Sequence, residues 1–208
     1  MEKKFFEDLK EKIQPYFDKD GTGHGFDHTQ RVYDYAIKIA KEEKVDLDVI
    51  KTSALLHDIS RKAQEECKLK MCHAEHGADL AKRILKKTSF PTDKIEAVCH
   101  AILAHRKRKS IQPNTKEAEI IRDADRLDLI GAIAIIRIFQ HSEKNRNFVF
   151  EREFQNSKIP LANFINKKLS EIAPRNFKTK VGKQIAMGRY NFMKEFTDRI
   201  IKENSGEL

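Results

Sequence analysis

The chain has 208 residues, with 41 Lys and Arg against 32 Asp and Glu for a formal charge of +9. That length suits one globular domain with a sizeable core, and 39% hydrophobic residues with only 8 Gly and 5 Pro favour a folded helical protein over a disordered or all-β one. No segment approaches the roughly 20 apolar residues of a membrane span, no secretory start is apparent, and Cys67, Cys72 and Cys99 lack the even count and repeated spacing of a disulfide framework. A cytoplasmic chain with reduced thiols and no membrane partner is the expectation.

In chain order, Lys3–Tyr16 has the pattern of an amphipathic helix that stops near Pro15. Residues 18–26 form a turn-rich connector with Gly21, Gly23 and Gly25. No strand precedes it and the glycine spacing is wrong for a dinucleotide fingerprint, so it reads as a flexible lead-in. From Asp27, the positions Val32, Ala36, Ile39 and Ala40 recur at helical spacing, and His28 lies one turn before Val32 on the same inward stripe. Asp46 is a plausible cap for a helix running through Leu47, Ile50, Ala54 and Leu55 to His57. Another helix is expected over His73–Lys87, with His76, Leu80 and Ile84 on one face. Ser89, Pro91 and Asp93 mark a boundary before a helix that sets Ile95, Val98, Ile102 and His105 near one side. From Asn114 and Thr115 a single continuous helix is expected to run through Phe139, mostly apolar after Leu127. The stretch from His141 to Asn147 reads as a loop, and further helices are expected near Ala162–Ile172 and Gly182–Lys202, packed by Phe177, Phe192 and Phe196.

The chemistry concentrates in a few of these elements. His57 and Asp58 are adjacent at the end of the apolar stretch VIKTSALLHD, and with His28 upstream and Asp125 downstream they suggest a buried divalent-metal site. Asp123, Asp125, Arg126 and Asp128 interrupt an otherwise apolar helix, and a buried carboxylate costs several kcal/mol unless a cation or metal compensates it. Two imidazoles and two carboxylates suit manganese, iron, zinc, cobalt or nickel better than calcium, with magnesium also admissible. Neighbouring helical residues point about 100° apart, yet the longer His57 and the shorter Asp58 can converge on one ion. Taken singly, each of the four has a plainer reading as a core histidine, a helix cap or an ion-pair partner. Such a site is hydrolytic equipment, because a metal acidifies water and polarises a phosphoryl oxygen.

His76, His100 and His105 leave a second metal open. His105 should face the bundle while His100 points roughly 140° away, so the preferred arrangement is one ion with His76 or His105 as acid, base or phosphate ligand. The spacing C-x4-C-H-x2-H, from Cys67 to His76, is not that of a zinc finger. The positive balance favours anionic partners without choosing among nucleotides, nucleic acids and acidic surfaces. Its densest run, His105–Lys109, reads first as a solvated helix end.

The stretches FDHTQRV, ALLHDIS and IIRDADRLD resemble the H, HD and D motifs of the HD-domain metal-dependent phosphohydrolases. HAEHGADLAKRIL, VCHAILAHR, ADRLDLIGAIAIIRIF and TKVGKQIAMGRYNFMKEF extend the resemblance over nearly the whole chain, to the bacterial YedJ/YpgQ-like subgroup. The resemblance implies an all-α HD-domain helical bundle in one domain, with a core over about residues 24–140 and a C-terminal helical extension over about 150–204. It implies metal ligation by His28, His57, Asp58 and Asp125, with Asp58 also in the chemistry and manganese the first ion to test. It also implies hydrolysis of a phosphoanhydride or phosphoester, with a nucleotide as the leading substrate class and conversion of a nucleoside triphosphate to monophosphate and pyrophosphate as one such reaction.

One departure stands out. The nucleoside-monophosphatase and alarmone-hydrolase branches place an acidic residue three positions after the HD aspartate, where this chain has Arg61. Arg61 and Lys62 could instead hold phosphate oxygens, as could Arg31, Arg106 or Arg126. Asp128 either orients a ligand or substrate hydroxyl or pairs with Arg126 or Arg122. Two rival functions stay open: a phosphodiesterase or nuclease acting on cyclic nucleotides or single strands, and a catalytically silent nucleotide-sensing or nucleic-acid-binding protein. The sequence leaves the oligomeric state undetermined.

Overall fold

The structure, a computed structural model, describes residues 1–17, 24–67, 72–106, 111–144 and 160–208. Among the described residues the regular elements are α-helices and short 3-10 turns, with no strand. None of the described helices is long and apolar enough to cross a membrane. The chain forms two compact units, Met1–Asp125 and Arg126–Leu208.

The first unit contains α1 (Lys3–Ile13), α2 (Phe26–Ala40), α3 (Leu47–Leu56), α4 (Arg61–Cys67), α5 (His73–Leu85), α6 (Ile95–Ala104) and all but the end of α7 (Lys116–Leu127). Helix α3 is its axis: α2 packs along it, and α6 packs against both α3 and α5. Nearly every residue of α3 is buried, from Val49 to Leu56. Its start is fixed by the Asp46 side chain, which accepts from the backbone N–H groups of Asp48 at 2.9 Å and Val49 at 3.3 Å, satisfying donors that a helix start leaves orphaned. The Asp46 N–H itself donates to Glu117 Oε1 at 3.0 Å, which ties the beginning of α3 to the beginning of α7. Phe6, Leu9 and Ile13 of α1 join Leu55, Leu56, Ile84, Leu85, Val98 and Ile102 in one apolar cluster. Each such side chain contributes about 1.5–3 kcal/mol on full burial.

The buried stripe of α5 differs from the expected one. It runs through His73, Ala74, Gly77, Ala78, Ala81, Ile84 and Leu85, whereas His76 and Leu80 are half-buried. Small residues let the helix lie close to its neighbours: a Cβ on Gly77 would stand 3.8 Å from the His57 carbonyl and from side chains of Ile59 and Ile102. Helix α4 was not anticipated from its polar sequence RKAQEEC.

The single long helix expected after Thr115 is two helices. Helix α7 stops at Leu127, the chain turns over residues 128–131, and α8 (Ala132–Lys144) begins anew right after Gly131, whose φ of 96° is a left-handed conformation that suits glycine. Helix α8 carries His141 to Lys144, which the sequence suggested as loop; the remainder of that stretch lies outside the described residues. In the second unit, α10 (Lys180–Ser205) packs against α8 and α9 (Pro160–Glu171). Thr179 caps α10 by accepting from Gly182 N–H at 3.0 Å. Phe177 is buried and Phe196 half-buried, but Phe192 is 47% exposed and is not a packing residue.

Candidate metal centre

Helix ends deliver the site. His57 is the C-cap of α3 and Asp58 follows in the same turn; His105 is the C-cap of α6, His73 the first residue of α5, His28 lies in the first turn of α2 and Asp125 in the last turn of α7. His28 and His57 are fully buried, and Asp58, His73 and His105 nearly so. Asp58 stands among them all. Its Oδ2 lies 3.0 Å from His24 Nδ1 and 3.8 Å from Nε2 of both His28 and His57, while its Oδ1 lies 3.3 Å from His73 Nε2 and 3.6 Å from His105 Nε2. Asp125 Oδ1 is 3.5 Å from His28 Nε2. Three overlapping groups thus bring metal-ligating atoms within 4.8 Å of one another: His24, His28 and Asp58; His28, His57 and Asp125; and Asp58, His73 and His105.

Protons on the far side of the rings decide what these atoms can do. His57 Nδ1 is 2.8 Å from the Ala54 carbonyl and His105 Nδ1 is 2.6 Å from the Ile102 carbonyl. A carbonyl only accepts, so each Nδ1 carries the hydrogen and, in the neutral ring, each Nε2 turns a lone pair inward. His57 Nε2 then meets His28 Nε2 at 3.2 Å, and Asp58 Oδ1 is buried without a hydrogen-bond partner among the described residues. Lone pairs and a carboxylate oxygen facing one another at these distances fit a cation. Two carboxylates match its double charge, and backbone hydrogen bonds behind metal-binding imidazoles are the usual way of fixing the ring.

The electrostatics agree. Burial drives the His57 pKa down to about 4 against the opposing pull of Asp58, and burial likewise takes His73 down to about 3, so both rings are neutral near pH 7. Burial would push the Asp58 carboxyl up, but His57, His105 and His24 outweigh it and hold the group well below the usual carboxylate range. His105 moves the other way: burial lowers it, and the Asp58 carboxylate more than compensates, leaving it raised. The Asp58 charge thus favours a proton on His105, which a metal would displace.

Of the residues singled out in the sequence, His28, His57, Asp58 and Asp125 are brought together, and His105 joins them. His76 lies outside the three groups, with its Nδ1 buried and lacking a hydrogen-bond partner among the described residues. His100 accepts from the Asn114 backbone N–H at 3.2 Å in an exposed setting. Arg61 Nη1 lies 3.2 Å from His73 Nδ1, and Lys62, next along α4, is half-buried. Arg106 Nη1 donates to Cys72 Sγ at 3.1 Å. Arg31 pairs with Asp27 at 2.7 Å on the exposed face of α2. Within the second unit, Arg126 donates to the Asn176 carbonyl at 2.9 Å, and fully buried Asp128 pairs with Arg137 at 2.7 Å, a partner other than those considered from the sequence. His24 and His73 went unrecognised as site residues. The signal for His24 was a histidine four residues before His28, within the glycine-rich connector; for His73 it was a histidine at a helix start.

An HD domain family model matches residues 25–130, just over half of the chain. The uncharacterized protein YpgQ of Bacillus subtilis (strain 168) is 27% identical over 96% of this chain and 94% of its own length. Among solved structures, a "predicted HD superfamily hydrolase" from an uncultured Thermotogales bacterium superposes with a TM-score of 0.70 at 30% identity, covering 95% of this chain and 91% of that one. Bacillus subtilis YpgQ in complex with ADP superposes with a TM-score of 0.72 at 25% identity, covering 93% and 97%. With the matched motif residues gathered around Asp58, the chain belongs to the HD-domain family and is a hydrolase of the metal-dependent phosphohydrolase type.

Proposed function

We propose that this chain hydrolyses a phosphoanhydride or phosphoester bond of a nucleotide, with a nucleoside triphosphate cleaved to monophosphate and pyrophosphate as the first reaction to test. In this reading His28, His57, Asp58 and Asp125 hold the principal divalent ion, manganese before nickel, cobalt, iron, zinc or magnesium. The observation that carries the reading is the buried Asp58 carboxylate set among imidazole nitrogens, those of His57 and His105 anchored from behind so that Nε2 faces inward. When bound, a divalent ion supplies Lewis acidity, making water a stronger nucleophile at neutral pH and polarising a phosphoryl oxygen.

The chain's own residues supply the rest. His105, anchored through Nδ1 to the Ile102 carbonyl, can take or give a proton at Nε2, and the charge of Asp58 beside it favours the protonated form. Arg61 brings a guanidinium to the His73 side of the site, and with Lys62 and Arg106 it neutralises phosphate charge. This assigns to Arg61 a substrate contact in place of the acid that some relatives carry there. The nucleotide assignment draws support from the ADP complex of Bacillus subtilis YpgQ.

A second reading, a phosphodiesterase with two ions, is favoured by the separate grouping of Asp58, His73 and His105. Metal-stripped protein reloaded with each candidate ion and assayed against nucleoside mono-, di- and triphosphates, cyclic nucleotides and single strands separates the two. Turnover of triphosphates that disappears in Asp58→Ala supports the first reading. Turnover of cyclic nucleotides or strands alone supports the second, and no turnover with any ion rejects both.

A further inference from the structure

The imidazoles around Asp58 are fixed in two different ways. For His57 and His105 the partner of Nδ1 is a backbone carbonyl three residues earlier, so the main chain settles where the ring hydrogen sits. For His73 the recorded neighbours of Nδ1 are side chains of α4: Gln64 Oε1 at 2.8 Å and Arg61 Nη1 at 3.2 Å. Their demands are opposite. An amide oxygen accepts, and requires a hydrogen on Nδ1; a guanidinium only donates, and requires a lone pair there.

A third contact breaks the tie. The backbone N–H of His73 donates to the same Gln64 Oε1 at 3.2 Å, which fixes that atom as the oxygen, because an amide nitrogen in its place would meet a donor. Gln64 therefore accepts twice from one residue, from the main chain and from the ring. Ser60 Oγ adds a third tether by donating to the His73 carbonyl at 3.0 Å.

We propose that Gln64 is a positioning residue: it holds His73 in the Nδ1–H tautomer, so that Nε2 turns its lone pair toward Asp58 Oδ1, and Arg61 is the competitor that draws the ring into the opposite tautomer once the Gln64 acceptor is gone. The inference rests on the metal reading of this site, since a lone pair at Nε2 serves a cation. With the hydrogen moved to Nε2, the ring would donate to Asp58 Oδ1 and close that side to metal. Groups behind a ligating imidazole commonly set ligand affinity by about 10- to 100-fold.

The tautomer is read directly from long-range proton–nitrogen correlation spectra of 15N-labelled, metal-free protein at neutral pH, with the His73 signals identified by their loss in His73→Gln. The native protein and Gln64→Glu, which keeps the acceptor, should show His73 with its hydrogen on Nδ1. Gln64→Ala should show it on Nε2, and manganese or cadmium titrated calorimetrically should bind about 10- to 100-fold more weakly on the His73 side than in the native protein. A native His73 with its hydrogen on Nε2 overturns the proposal, as does a Gln64→Ala protein with unchanged tautomer and affinity. If Gln64→Ala does not fold, the native and Gln64→Glu spectra still decide. Should the native protein take up no divalent ion while His73 keeps the Nδ1–H form, the metal reading fails and the role of Gln64 stands.

Discussion

The two oxygens of Asp58 look into differently built surroundings. On the Oδ2 side, His28 and His57 come from α2 and α3, helices packed along each other in the core, and the His57 ring is pinned by a carbonyl of its own helix. On the Oδ1 side, His73 is held by Gln64 and Arg61 from the seven-residue helix α4, whose Arg61 to Gln64 are only half-buried. His57 is preorganised by its own helix, and His105 likewise through the Ile102 carbonyl, at no cost beyond folding itself; His73 depends on side-chain contacts that a single substitution can undo. A site can thus combine imidazoles fixed by the main chain with one that is adjustable around a single carboxylate.

The sharpest way to break this comparison is Asp58→Ala, which removes the residue common to both sides. Expected is a loss of kcat/KM of at least about a thousandfold, equivalent to about 4 kcal/mol of transition-state stabilisation, with no divalent ion retained after dialysis. An ion retained at full stoichiometry, measured by elemental analysis, would show that neither side depends on Asp58. Next in size, His105→Ala should lower kcat about a hundredfold while leaving the affinity for the first ion close to native. Equal losses of affinity in His105→Ala and His57→Ala would merge the two sides into one.

Acid acts on stability through a ring on each side. His57 and His73 have folded pKa values near 4 and 3, below the ordinary 6.5, so the unfolded chain takes up protons that the fold refuses. Their contribution to stability is complete above about pH 6.5 and is lost as pH falls toward 4, by up to about 3 kcal/mol for His57. His105, raised by Asp58, acts in the opposite direction and blunts the fall. The Tm of metal-stripped protein should therefore drop between pH 6.5 and 4, less so in His73→Gln; a Tm flat over that window would contradict the neutral, buried state of both rings. The smallest effect is expected of Asp46→Ala. Loss of the α3 cap should cost about 1 kcal/mol of stability in denaturant titration, with metal affinity unchanged, because packing rather than the cap holds the far end of α3 where His57 sits.

What the sequence revealed and what it concealed follow the same division. His28, His57 and Asp125 sit on or at the ends of helices whose apolar spacing is plain, and Asp58 adjoins one of them, so motif and periodicity point to the same residues. The Oδ1 side is harder to read. Periodicity favoured His76, on a stripe with Leu80 and Ile84, but α5 buries a face lined by Ala74, Gly77, Ala78 and Ala81, and small residues barely register as apolar markers although they bring helices closest. That rotates the helix enough to turn His73 inward. Helix α4 is polar, short and set by tertiary contacts, which leave little trace in local pattern. The break after α7 is hidden for a similar reason: it falls inside an apolar run, where the left-handed Gly131 just before α8 looks like one more small residue.

His57 and His105 are both helix C-caps, and this has a consequence for electric field as well as for hydrogen bonding. The C-terminal pole of a helix carries a partial negative charge of roughly half an elementary unit, and α3 and α6 both end beside Asp58. At the N-terminus of α5, beside His73, the pole has the opposite sign. The backbone therefore lays down an attraction for positive charge at the ends of α3 and α6 and for negative charge at the starts of α5 and, beside His28, α2, before any side chain ionises. Replacing one imidazole removes a donor atom and leaves that field in place, so single-histidine variants should retain a weak, salt-sensitive affinity for divalent ions.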